Sequence, residues 1–156
     1  MNNYIVYCDG SYMDSIKAGG WASIILDENE NLLHVLYQGM THTTNNRMEL
    51  RAVIETLKYF KESSNITIYS DSQYVVNGIQ KGWAKDWLNE NDLTKKNLDL
   101  WFELLELLPN HTITINWVKG HANNKWNELA DHWCTFAAQC YNLPRDIWTI
   151  NSMSKN

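Results

Sequence analysis

Four acids in four separate stretches of the chain could make one site: Asp9 in YCDGS, Glu49 in TTNNRMEL, Asp71 in IYSDSQY and Asp131 in NELAD. His121, in VKGHA, precedes the last of them. Acids gathered from distant segments repel, by about 4 kcal/mol for two unit charges ~4 Å apart at an effective dielectric near 20. A fold tolerates such a cluster chiefly when a divalent cation neutralises it, and hard carboxylate oxygens suit Mg²⁺ or Mn²⁺. The chemistry indicated is metal-dependent phosphoryl chemistry.

Each acid taken singly has an ordinary explanation. Asn46-Arg47-Met48-Glu49 fits a capping box. Asp71 could be the N-cap of the helix after it, Asp9-Gly10 is a common turn, and Asp131 could be a solvated helix residue. Jointly these readings need four coincidences, and the shared site is the simpler account. His121 lies among small and polar residues rather than on an apolar face. It suits a mobile proton carrier, since an unshifted imidazole titrates near neutral pH. His34, His42, His111 and His132 show no metal-ligand spacing and are read as incidental.

The elements that must position these residues follow from periodicity. Tyr4–Cys8 is a short apolar run that reads as a buried central strand, bounded by Asp9-Gly10-Ser11 as a turn. Trp21–Leu26 and Leu32–Gln38 complete an antiparallel meander. A helix is expected from Asn46 to about Glu62, with Glu49 in its first turn, then a buried strand over Ile66–Tyr69. Asp71-Ser72-Gln73 opens a short helix that stops near Gly78–Gly82. Trp83–Leu88 reads as a further short helix, Leu98–Leu108 as an amphipathic helix ended by Pro109, and Ile113–Val118 as the last strand.

Residues 124–141 form the final helix, with Trp126, Leu129, Ala130, Trp133 and Ala137 on its buried face. The tail, 142–156, is expected to dock through Ile147 and Trp148 and then fray. The result is an α/β domain with a five-stranded mixed sheet, an antiparallel meander plus two parallel strands, flanked by helices. Asp9 and Asp71 each follow a buried strand, where ligands of open α/β sheets gather.

A chain of 156 residues, 44% hydrophobic and 12% aromatic, is long enough for one packed core and is not a disordered chain. A net charge of −5 argues against holding nucleic acid by bulk charge alone, though not against a local basic stripe. Cys8, Cys134 and Cys140 lack a CxxC spacing and read as reduced core thiols of a cytosolic protein. No signal-peptide pattern opens the chain, and no apolar run approaches the ~18 residues of a membrane span. Trp83 and Trp87 lie in a polar stretch, where one or the other could stack on or flank a nucleic-acid strand.

The segments DGS, TTNNRMEL, SDSQYV, WVKGHA and NELAD, in this order and spacing, resemble type 1 ribonuclease H of the bacterial kind, over roughly Tyr4 to Tyr141. The resemblance implies a ribonuclease H-like fold, with a catalytic domain over 1–141 and the tail beyond it. It implies that Asp9, Glu49, Asp71 and Asp131 bind two Mg²⁺ ions, with Mn²⁺ as a substitute. Asn127 and Asp131 both compete for the last ligand, and the family pattern selects the acid four residues after the asparagine, Asp131. His121 would then serve proton transfer or product release.

Asn45, Asn46 and Gln73 would read the RNA 2′-hydroxyls in the minor groove, and Thr44 would belong to a pocket for a DNA-strand phosphate. The implied protein is a cytoplasmic monomer with no obligate protein partner and no membrane association. It would hydrolyse the RNA strand of RNA–DNA hybrids to 5′-phosphate and 3′-hydroxyl ends.

Two departures stand out. Tyr12–Ala18 replaces the family's glycine-proline loop, with Ser15 at the usual asparagine, which weakens the case for substrate contacts there. Residues 81–97 set Lys81, Lys85, Lys95 and Lys96 against Asp86, Glu90 and Asp92, a net of only +1. The alternatives are an integrase-like nuclease, which predicts no TTNN motif, and a catalytically inactive hybrid-binding module, which would be expected to lack at least one acid. A Rossmann-type cofactor binder is excluded because no GxGxxG follows either buried strand.

Overall fold

The computed structural model describes residues 1–120 and 122–148. Five strands, β1 (Asn3–Met13), β2 (Ala18–Asp27), β3 (Leu32–Thr41), β4 (Asn65–Ser70) and β5 (Thr112–Trp117), form one sheet in the order β3-β2-β1-β4-β5. The pairs β1–β2 and β2–β3 are antiparallel, and β1–β4 and β4–β5 parallel, as the periodicity predicts. Five helices flank it: α1 (Asn45–Tyr59), α2 (Gln73–Gln80), α3 (Trp83–Asn89), α4 (Leu98–Leu107) and α5 (Lys125–Ala138). Pro109 lies in a single 3-10 turn, Leu108–Asn110, that closes α4. No described helix is long and apolar enough to cross a membrane.

Alternation along β1 sends its side chains to two cores. Val6 and Cys8 pack with Met48 and Val53 of α1 and with Trp101 and Leu104 of α4. Tyr7 packs on the opposite face with Ile24, Leu26 and Ala130, under Trp126, Leu129 and Trp133 of α5. The period of two therefore places Asp9 on the Tyr7 side, toward α5.

The first strand corrects the expected turn at Asp9-Gly10-Ser11. β1 runs through these residues to Met13, each paired with β2 in unbroken register from Asp9↔Ala22 to Met13↔Ala18. Gly10 is there for closeness rather than for turning. A Cβ on it would lie 2.3 Å from the Met48 carbonyl carbon, so α1 could not approach the strand. Gly20 plays the same part on the other face, where a Cβ would lie 2.0 Å from the Cys134 carbonyl oxygen of α5.

The expected place of Glu49 in the first turn of its helix is also corrected, and the capping-box alternative fails with it. Thr44 is the N-cap of α1, accepting from the Arg47 amide at 3.2 Å, so Glu49 stands beyond the first turn and is buried. Ser72, not Asp71, caps α2, accepting from the Val75 amide at 3.2 Å. α5 ends at Ala138, and Cys140 beyond it is exposed rather than a core thiol, while Cys8 and Cys134 are buried.

The segment after Leu143 docks differently from the expectation. Ile147 is 80% exposed, and Asp146 is the buried anchor. The Asp146 amide donates to the Thr41 carbonyl at 2.9 Å, and the Trp148 indole donates to the His42 carbonyl at 2.7 Å. The expected fraying at the end of the tail falls mostly on 149–156, outside the described residues.

Candidate active site

The parallel ladder between β1 and β4 ends at Cys8↔Ser70. Asp9 and Asp71 are the next residues on each chain, so the two acids leave the ladder level with one another. Glu49 reaches them from α1 because Gly10 lets that helix lie against the strand. Carboxylate oxygens of Asp9, Glu49 and Asp71 lie within 4.8 Å of one another. Asp131 approaches Asp9 from α5, with an oxygen within 4.8 Å of donor atoms on Asp9 and Cys134. Asp9 thus belongs to both groups.

Burial makes this cluster unusual in its protonation. Asp9 is 5% exposed, and its carboxyl is pushed up to about 8, chiefly by burial and then by the negative charge of Asp71. A hydrogen bond from Glu49 and the Gly10 amide, 2.9 Å from Asp9 Oδ1, pull it the other way. Glu49 is raised well above the ordinary carboxyl range by burial first and by Asp9 second. Its Oε1 is buried with no hydrogen-bond partner among the described residues, and Asn127 Oδ1 is the other such atom. An orphaned carboxylate oxygen among converging acids fits a hard divalent cation, which would satisfy the oxygen and relieve the repulsion.

His121 lies outside the described residues. Its neighbour Gly120 packs on the acid that follows β4, where a Cβ would be 3.0 Å from Asp71 Oδ2. Trp117, 45% exposed at the end of β5, donates its indole N–H to the Asp71 carbonyl at 3.2 Å. The sequence carries no trace of that contact, which joins residues 46 apart.

The expected substrate residues are mostly open to solvent. Asn45, Asn46 and Gln73 are exposed, and Thr44 is partly buried by its capping role. The Asn45 side chain accepts from the Tyr12 amide at 2.5 Å and so ties the altered hairpin to the start of α1. A depression of about 310 Å³ is lined by Asn46, Tyr74, Trp87, Lys95, Lys96 and Asn97. Trp83 and Trp87 differ in standing. Trp83 is 40% exposed with Lys81 5.0 Å over its ring, whereas Trp87 packs edge-on against buried Trp101 at 6.3 Å, with Lys95 5.2 Å over its ring.

Residues 1–139 match the RNase H family model. The chain is 42% identical over 147 residues to a ribonuclease H of Desulforamulus reducens, covering 91% of each chain. It is 40% identical over 139 residues to ribonuclease HI of Helicobacter pylori, covering 89% of this chain and 95% of that one. Among solved structures it resembles LC9-RNase H1, described as a type 1 RNase H with the type 2 active-site motif. The TM-score is 0.78 at 28% identity, covering 88% of this chain and 72% of the other. A motif series running the length of the sheet, its acids converging at one end, and a family match across nearly the whole sequence have one common meaning: the chain belongs to the RNase H family.

Proposed function

We propose that this protein hydrolyses the RNA strand of RNA–DNA hybrids, leaving 5′-phosphate and 3′-hydroxyl ends, as a cytoplasmic monomer. The observation that carries the reading is the convergence of Asp9, Glu49 and Asp71 within 4.8 Å, with Asp131 facing Asp9 from α5. Asp9, Glu49, Asp71 and Asp131 would hold the divalent cations, two Mg²⁺ with Mn²⁺ as a substitute. Bound there, the ions would supply activation of the attacking water and charge stabilisation of the leaving 3′ oxygen.

The chain's own residues do the rest. Asp9, common to both donor groups, is the residue suited to bridging. Asn45, Asn46 and Gln73 offer exposed amides to the minor groove, where the 2′-hydroxyl distinguishes RNA from DNA. Thr44 contributes to the grip on a DNA-strand phosphate. Trp83, and Trp87 with Lys95 and Lys96, are assigned to contacts with the nucleic-acid strand, a reading supported by the exposure of Trp83 and by the depression that Trp87, Lys95 and Lys96 share. His121 is assigned to proton transfer or product release.

The test is cleavage of an end-labelled hybrid with Mg²⁺ and with EDTA, alongside duplex DNA and duplex RNA. Magnesium-dependent cutting of the RNA strand alone supports the reading. Binding of hybrid without cutting would favour the inactive-module alternative, against which the retention and convergence of all four acids weighs.

A further inference from the structure

On the α5 side, the surroundings of Asp9 change in character. Asp131 and Cys134 are three apart on that helix and so share a face. An Asp131 oxygen, an Asp9 oxygen and Cys134 Sγ lie within 4.8 Å of one another. Cys134 is fully buried, yet its surroundings are polar: its Sγ lies 3.2 Å from the Asp131 carbonyl oxygen and 3.6 Å from Ser11 Oγ.

A further atom points to an ion. Asn127, one turn before Asp131 on the same stripe, is 2% exposed, and its Oδ1 has no hydrogen-bond partner among the described residues. A buried, orphaned acceptor beside a mixed oxygen and sulfur set is what a cation of intermediate softness would satisfy.

We propose that Asp9, Asp131 and Cys134 form a site for a thiophilic divalent cation, zinc or its analogue cadmium, which excludes the hard-cation arrangement because both need Asp9. The proposal rests on the metal-binding reading of Asp9 and Asp131, to which Cys134 adds a donor of a different kind. Zinc sits ~2.3 Å from sulfur and ~2.0–2.2 Å from carboxylate oxygen, so tetrahedral donors stand about 3.5 Å apart. Separations within 4.8 Å leave no more than about 1.3 Å to close, a movement within the reach of side-chain rotation on β1 and α5. Binding replaces the S–H bond with a sulfur–metal bond and releases the proton to solvent. Magnesium, which prefers oxygen ligands and an octahedral shell, gains nothing from the sulfur.

The experiment titrates the full-length, metal-free protein with Cd²⁺ and follows the ultraviolet sulfur-to-cadmium charge-transfer band. One equivalent is expected to saturate a band that persists in Cys140→Ser and is lost in both Cys134→Ser and Cys134→Ala. Apparent Cd²⁺ affinity should fall roughly tenfold or more in Asp9→Asn, and excess Mg²⁺ should weaken it by competition. No band in the parent, or a band that survives both Cys134 variants, overturns the proposal. So does a band indifferent to Asp9→Asn and to Mg²⁺. A parent that shows the cadmium behaviour but fails to cut hybrid with Mg²⁺ would refute the proposed activity while leaving this site standing.

Discussion

Arg47 Nε donates to Asp146 Oδ2 at 2.8 Å across 99 residues of sequence, and both side chains are fully buried. The same guanidinium holds Asp99 with two bonds of 2.9 Å and lies 4.0 Å from the ring centre of Trp148. Arg51 shares Asp146 Oδ1, and Thr43 donates to Oδ2 at 2.8 Å. The segment after Pro144 is thereby fastened to α1, the helix that carries Glu49. Removing one partner of such a pair leaves an uncompensated buried charge, which costs far more than the pair itself contributes. Asp146→Ala should lower unfolding stability by roughly 3–5 kcal/mol in urea melts. Asp14→Ala, which removes the exposed Lys17 pair, should stay within about 0.5 kcal/mol. Equal effects would show that burial does not govern these ion pairs.

Asp9→Asn should abolish magnesium-dependent hybrid cleavage and raise the melting temperature of the metal-free protein. The amide keeps the size of the side chain and removes the cost of either protonating Asp9 or burying its charge against Asp71 and Asp131. Cleavage assays and melts in EDTA check the two halves separately. Retained cutting, or a clear fall in melting temperature, contradicts the shared-site account.

Metal-free stability should fall as pH rises through the neutral range. Asp9 is pushed from an ordinary 3.8 to about 8 in the fold, and Glu49 is raised as well. Between those values the folded state binds more protons than the unfolded chain, so unfolding free energy declines with pH and levels off above about 8. Most paired surface carboxylates have the opposite slope. Urea midpoints in EDTA at about pH 5 and about pH 8 measure it, and the slope should flatten in Asp9→Asn. A parent whose midpoint rises over that interval would contradict the raised carboxyls.

Gly20→Ala should destabilise the protein by about 1–3 kcal/mol and depress cleavage further than stability alone accounts for. The new methyl would stand 2.0 Å from the Cys134 carbonyl oxygen, backbone that moves only if α5 moves, and α5 carries Asp131. Cleavage measured far below the melting transition separates the two effects. An unchanged turnover would mean that α5 can shift without disturbing the site.

Trp83→Ala should weaken hybrid binding, by about 1–3 kcal/mol if a base or sugar stacks there, and leave the urea midpoint nearly unchanged. Trp87→Ala should lower both, since Trp87 also packs against Trp101. Affinity titrations and urea melts on both variants test the distinction. A stability loss in Trp83→Ala equal to that in Trp87→Ala would place Trp83 in the core.

Legibility in the sequence followed the range of each interaction. The strands and helices were readable because burial on one face imposes a local period, and Asp71 was correctly set just after its strand. The extent of β1 was misread because Asp-Gly has a local meaning, a turn, that the close approach of α1 overrides. The cap of α1 was shifted by two residues because Thr44 and Asn46 are both good capping types, and only the bond to the Arg47 amide separates them. Ile147 looked like the tail's anchor because it is apolar, yet the buried partner waiting there was a pair of arginines, which select Asp146.

The sequence by itself determined the order and type of the elements and the kinds of donor available, since both are written in residue types at short spacing. Only the tertiary structure decided that Asp9 faces α5 and stands among Glu49 and Asp71 on one side and Asp131 and Cys134 on the other. Likewise only the fold joined Arg47 to Asp146. Such contacts depend on strand order, on glycines that set how near a helix can lie, and on which helix covers which face. No local period carries that information, because these contacts join residues far apart in the sequence.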